Sequence, residues 1–165
     1  MNNVENITNS VSLGQKIAFG LGMLANQLFP ALLSIFIVVL IQDLGFNPLL
    51  YAVIAFVPRF IDALTDPLMG FISDNTKSKW GKRRQYVFVG GILTGIAFIL
   101  SWQLYPENGE TYNFWYFLIF NLIFYLGITI FGVPFVAMGY EMSENFHERT
   151  QIMAVSQFIG QFAWV

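Results

Sequence analysis

Long apolar runs separated by short polar segments dominate this chain. Four of them, about Ile17 to Ile41, Pro48 to Ser73, Tyr86 to Leu104 and Phe114 to Met138, are long enough to cross a hydrocarbon core. Such a crossing takes about 20 mostly apolar residues in a helix. A fifth run begins near Ile152 and is still apolar at Val165, so the pattern predicts four full spans and a truncated one at 152–165. On this reading residues 1–12 are a polar N-terminal segment, 13–165 are the helical part, and the chain is a fragment. The opening residues lack a basic start, and the run behind them exceeds a signal peptide's apolar core, so the first helix is predicted to be a retained span.

The polar segments set an orientation. Five of the eight Lys and Arg residues, Lys77, Lys79, Lys82, Arg83 and Arg84, fall between the second and third runs. The excess of basic charge in cytoplasmic loops puts that segment inside, and Lys16 puts the N-terminus with it. The turns holding Asp43 and Glu107/Glu110 carry no Lys or Arg and are predicted to face outward. Alternation makes Glu141–Arg149 a cytoplasmic loop. The expected location is therefore the cytoplasmic (inner) membrane, multi-pass, with the N-terminus inside. Trp102, Tyr105, Tyr112, Trp115 and Tyr116 flank the outer turn, either as an interfacial aromatic belt or as a platform for a sugar. Gly20, Gly22, Gly91 and Gly95 are placed at close helix crossings.

Composition sharpens this picture. Hydrophobic residues make up 56% and charged residues 11% of the chain, against roughly 25% charged in soluble domains. With no cysteine there is no disulfide framework or thiolate metal site, and the single histidine, His147, lies in a polar loop. Nothing suggests a nucleic-acid partner or a bound cofactor.

The charges that do enter a span carry the chemistry. Arg59, Asp62 and Asp66 recur at three- and four-residue spacing and share a helix face, with Thr65 beside them. Asp62 lies 12 residues before Asp74, about 18 Å from the run's end at 1.5 Å per residue. Each such charge costs roughly 2.5–3.5 kcal/mol at a span centre, so the stripe should face protein or a wet cavity. Arg59 is expected to neutralise one carboxylate. The other calls for a bound cation, a retained proton, or a basic residue from outside this sequence. Carboxylate and hydroxyl oxygens suit a small hard cation such as Na+ at Asp62 and Asp66. Asn26, Gln27, Asn121, Tyr125, Thr129, Gln157 and Gln161 are polar groups within runs, placed either to meet a hydroxylated substrate or to bond between helices. Pro30, Pro58 and Pro134 interrupt three of the helices.

The series Arg59-x-x-Asp62-Ala63-x-x-Asp66-Pro67-x-Met69-Gly70, followed by Ser78-Lys79-Trp80-Gly81-Lys82-Arg83-Arg84, resembles the glycoside–pentoside–hexuronide:cation symporters of the major facilitator superfamily. Lys16-Ile17-Ala18-Phe19-Gly20-x-Gly22 and Pro134-Phe135 extend the likeness over nearly all of the chain after residue 12. The resemblance implies an all-α, twelve-helix transporter of which this is the N-terminal part. It implies cation ligands at Asp62, Asp66, Thr65 and Thr129, with Arg59 as their charge partner. It implies a cytoplasmic gating loop at Gly70, Asp74, Gly81, Lys82, Arg83 and Arg84, and substrate contacts at Asn26, Gln27 and Gln157. The substrate half departs from the melibiose-transporting members: Gln27 and Gly132 replace aspartates, Asn26 a lysine, Val136 a tryptophan, Ile128 a tyrosine and Gln157 an arginine. The expectation is symport of a sugar or glycoside other than a simple galactoside, coupled to Na+ or H+, with the lipid bilayer and the rest of the same chain as partners. Two other classes compete: a membrane scaffold or assembly subunit, and a membrane prenyltransferase using Asp-x-x-x-Asp for magnesium diphosphate. The first leaves the mid-span charges unexplained. The second lacks its other acidic motif and a basic lining.

Overall fold

The computed structural model describes residues 10–165, apart from the side chains of residues 36, 37, 39, 41 and 42. Most of the 1–12 segment therefore lies outside the described residues. Five helices follow one another: α1 (Leu13–Gln42), α2 (Pro48–Asn75), α3 (Arg84–Ser101), α4 (Glu110–Glu141) and α5 (Phe146–Gln161). Single 3₁₀ turns occupy Pro106–Asn108 and Phe162–Trp164. The first four helices are long and apolar enough to cross a membrane.

Most helices extend a few residues beyond their apolar runs, α1 beginning at Leu13 and α4 spanning Glu110–Glu141, and two further boundaries differ from the hydropathy pattern for a local reason. The third helix stops at Ser101, not Leu104. There the Ser101 hydroxyl donates to the Phe98 carbonyl, and the Trp102 N–H donates to Ile99. The fifth begins at Phe146, six residues before the apolar run. The Asn145 side chain accepts from the His147 and Glu148 N–H groups, a cap that satisfies donors the helix cannot. Residues predicted as loop thus form the first turn of α5.

Direct contacts fix how the helices run. Against α2, α4 is parallel: Ile54 meets Asn121, Asp66 meets Thr129, and Gly70 faces Val133. Against α1, α5 is also parallel, from Lys16 near Gln151 to Met23 beside Gly160. Helix α4 runs antiparallel to both α3 and α1. Because lipid is as apolar as the side chains, close backbone approach takes over from hydrophobic burial in holding such helices. The residues that α3 buries at the α3–α4 crossing are small, Gly90, Thr94, Ala97 and Ser101, with Phe98 packing beside them on Phe124. A Cβ at Gly90 would sit 2.5 Å from the Phe131 backbone nitrogen, whereas one at Gly95 would meet nothing within 4 Å. The expected Gly91/Gly95 contact is thus corrected to the neighbouring stripe, one position around the helix. Gly20 and Gly22 do pack closely, against Ile159 of α5 and Phe135 of α4.

Candidate functional site: a carboxylate pair and an adjoining cavity

Helix α2 buries Ile54, Pro58, Met69 and Ser73. These positions define one stripe, and Asp62 and Asp66 continue it through the middle of the helix. The opposite side exposes Phe56, Phe60, Leu64, Leu68 and Phe71. Asp62 is half-buried on this stripe, and Asp66, at its edge, is exposed among the described residues but sits off the apolar Phe60/Leu64/Leu68 face. Asp62 sits 14 residues from the start of this 28-residue helix, at its midpoint.

Thr129 of α4, 3% exposed, closes the pair. Its hydroxyl donates to Asp66 Oδ1 at 2.8 Å and lies 3.5 Å from Asp62 Oδ1. Parallel packing of α2 on α4 brings Thr129 to the two acids although it lies 67 and 63 positions from them in sequence. The arrangement offers only hard oxygen donors, the kind a small cation takes. Thr65 is not drawn in: its hydroxyl donates back to the Ile61 carbonyl at 3.1 Å.

Arg59 departs from the expectation. Among the described residues no carboxylate oxygen lies within ion-pair distance of it. Its guanidinium carbon instead lies 5.7 Å from the centre of the Tyr125 ring. The geometric reason is its position one turn nearer the acidic-turn end, where the facing α4 residue is aromatic. There Arg59 lines a cavity of about 170 Å³ with Ser34, Tyr51, Asn121, Tyr125 and Trp164.

Asn121 has a structural duty that a search for polar residues alone does not reveal. Pro58 has no N–H, so the Ile54 carbonyl four residues earlier loses its helical partner. The Asn121 Nδ2 donates to that carbonyl at 3.3 Å. The signal was present in the sequence as a proline in a span, but the donor that answers it comes from another helix.

The residues expected to meet substrate separate into two sets. Gln27 and Gln157 join directly, Gln27 Nε2 donating to Gln157 Oε1 at 3.2 Å, and Trp164 Nε1 donates to Gln27 Oε1 at 2.9 Å. Asn26 turns away toward α4, where its Oδ1 would be 2.8 Å from a Cβ at Gly132. Gly132 thus leaves the room that the Asn26 amide occupies.

The expected gating loop forms a charge cluster at the opposite rim. Arg83 bonds Asp74 and reaches Glu141 at 2.8 Å, and Lys82 reaches Glu141 at the same distance. Glu141, at the end of α4, was not singled out from sequence, yet both basic residues converge on it. Gly81 has φ +93°, in the left-handed region that favours glycine. Gly70 has only an ordinary contact, and Arg84 opens α3. On the same rim the Glu148 carboxylate accepts the Val11 N–H and the Ser143 hydroxyl, both at 2.6 Å, with Lys16 3.8 Å away. These bonds hold the Glu148 carboxyl below its ordinary pKa, the Ser143 hydrogen bond contributing most.

The likeness to known proteins agrees with a membrane carrier. An uncharacterised symporter of Synechocystis is 25% identical over 143 residues, covering 83% of this chain and 26% of the relative. The sodium-dependent lysophosphatidylcholine symporter 1-A of Danio rerio is 30% identical over 159 residues, covering 94% of this chain and 29% of the relative. The lactose permease of Lactobacillus helveticus is 25% identical over 162 residues, covering 89% and 25%. The chain thus spans between a quarter and a third of the length of these curated relatives. Four helices are long and apolar enough to cross a membrane, and a family model described as MFS/sugar transport protein matches residues 18–165: the chain belongs to that family.

Proposed function

We propose that the protein carrying this chain is a secondary transporter, coupling Na+ or H+ movement to uptake of a sugar or glycoside by alternating access in the cytoplasmic membrane. The observation that carries this reading is the Asp62–Asp66–Thr129 group: two acids at mid-helix, turned from the exposed apolar face, with no basic partner within ion-pair distance among the described residues. An empty site of this kind holds excess negative charge, which opposes closure into a dry state. A bound cation removes the excess, and a substrate then completes contacts between helices. The basic loop faces the cytoplasm on this reading, so Arg83, Lys82 and Glu141 belong to the inner rim and Gln27 and Gln157 to the substrate path. The sugar follows the family's description; a relative that handles lysophosphatidylcholine carries the same kind of sequence.

The test is uptake by the complete gene product in proteoliposomes, driven separately by a sodium gradient and by a pH gradient. Asp62→Asn and Asp66→Asn are expected to abolish stimulation by whichever gradient drives the wild type. Unchanged stimulation in both variants would remove the assignment. A scaffold subunit would show no gradient-driven uptake at all.

A further inference from the structure

The segment between α2 and α3 carries more positive charge than its neighbours answer. Of its five basic residues, Lys82 and Arg83 are taken by Glu141 and Asp74. Lys77, Lys79 and Arg84 are exposed, and no carboxylate lies within ion-pair distance of them among the described residues. The segment has a built turn. The Ser78 hydroxyl accepts the Trp80 N–H at 3.3 Å, and the Ser78 carbonyl accepts the Gly81 N–H at 3.1 Å. The Thr76 and Tyr86 hydroxyls, 2.7 Å apart, tie the end of α2 to the start of α3. Arg84 lines an open depression of about 310 Å³ with Gly81 and Lys82, and the acid on its wall, Glu141, is the one that Lys82 and Arg83 already hold. Apolar surface adjoins this charge. Trp80 is 71% exposed, and the turns of α2 and α3 that run into the segment expose Phe71, Ile72, Phe88 and Val89.

We infer that this segment is a binding site for an anionic phospholipid, whose phosphate is held by Lys77, Lys79 and Arg84 and whose acyl chains lie along Trp80 and the adjoining helix ends. The charge is complementary: each basic side chain near an anionic membrane surface raises affinity about fivefold. Arg84 meets the phosphate through its planar fork of N–H donors, and the lysines meet it as point charges. Trp80 suits the depth where headgroup meets hydrocarbon, because its ring is apolar and its N–H is polar. A free anion uses the charges and leaves the apolar rim bare. A zwitterionic lipid brings a cation of its own beside the lysines. The bound lipid fastens to the membrane surface the same segment whose Lys82 and Arg83 hold the end of α4 through Glu141. The site needs the membrane spans but neither a coupling ion nor a sugar, so it stands apart from the carrier reading above.

The complete gene product is reconstituted in phosphatidylcholine nanodiscs with an equal minor fraction of either phosphatidylglycerol or phosphatidylcholine brominated on its acyl chains. Bromine quenches a nearby indole, and the difference between wild type and Trp80→Phe isolates the emission of Trp80. Brominated phosphatidylglycerol is expected to quench Trp80 at least about twofold more than brominated phosphatidylcholine. With Lys77→Gln, Lys79→Gln and Arg84→Gln combined, the two lipids are expected to quench equally. Lys77→Arg with Lys79→Arg keeps the preference, and so does Lys16→Gln, whose charge faces Glu148. Equal quenching in wild type, a preference that survives the triple substitution, or its loss in the arginine or Lys16→Gln variants would overturn the inference. Loss of the preference in excess inorganic phosphate at matched ionic strength would also overturn it, by marking a site for the free anion. If the triple variant does not fold, the wild-type comparison and the phosphate competition decide.

Discussion

Replacing Asn121 tests whether a side chain on one helix repairs the backbone of another. The Ile54 carbonyl is deprived of its partner by Pro58, and Asn121 Nδ2 supplies one at 3.3 Å. Leaving a buried carbonyl unpaired costs about 1–3 kcal/mol, while hydrogen bonds between membrane helices average about 0.6 kcal/mol and reach about 1.7. A separation of 3.3 Å is at the long end for N–H···O, which favours the lower part of that range. Asn121→Ala is therefore expected to destabilise the carrier by about 1–2 kcal/mol, part of it lost packing rather than the lost bond. A double-mutant cycle separates the two. In a Pro58→Ala background the chain regains an N–H at position 58 that can bond Ile54, and Asn121→Ala should then cost about 0.6–1 kcal/mol less. Reversible unfolding of the complete gene product in mixed micelles, followed by tryptophan fluorescence, measures all four corners. If Asn121→Ala costs the same in both backgrounds, the proline and the amide are not coupled and the argument fails.

Gly90→Ala should destabilise by roughly 2 kcal/mol or more, because its Cβ meets Phe131 backbone at 2.5 Å. Gly95→Ala, with open space at that position, should be neutral or stabilise by up to about 1 kcal/mol through helix propensity; the same unfolding assay compares them, and equal effects would refute the α3–α4 register. Thr129→Ala should raise the coupling-ion concentration for half-maximal uptake roughly three- to tenfold, equivalent to about 0.6–1.4 kcal/mol, with Thr129→Ser close to wild type. Glu148 has a folded pKa below its ordinary 4.5, so the bond it accepts from Val11 is fully present above about 4.5 and lost as pH falls through the lowered value. Exchange protection of the Val11 amide, corrected for the intrinsic rate, should follow that fall in wild type and be flat in Glu148→Gln.

The spans and the acidic stripe were legible in the sequence because both follow from one helix at a time. Apolar length is a property of a single run, and three- and four-residue spacing fixes which side chains share a face. What depended on a second helix was not legible. Gly91 and Gly95 looked like the crossing until α4 showed that Gly90 and Thr94 face it. Arg59 shares the carboxylates' stripe, but Tyr125 opposite gives its side chain another direction. The start of α5 was hidden by the polar residues of its own cap, since Asn145 and Glu148 score as loop while one closes the helix and the other reaches back to α1. From the residues alone Thr129 was one polar group among several within spans, and only family likeness set it with the acids; in the structure, parallel packing of α2 and α4 places it beside both.

Thr129 brings one hydrogen to a place with two takers. At 2.8 Å it serves Asp66, and Asp62, 3.5 Å away, receives the longer and weaker contact. Chemically alike, the two acids are therefore unequal, and on the proposed coupling role the less well bonded of them is the expected first contact of an incoming ion. On that proposal, with both acids committed to an ion, the hydroxyl would turn its hydrogen elsewhere and offer its lone pairs. The rotation of that one O–H bond would then be a small movement by which occupancy of the acidic pair is felt on α4.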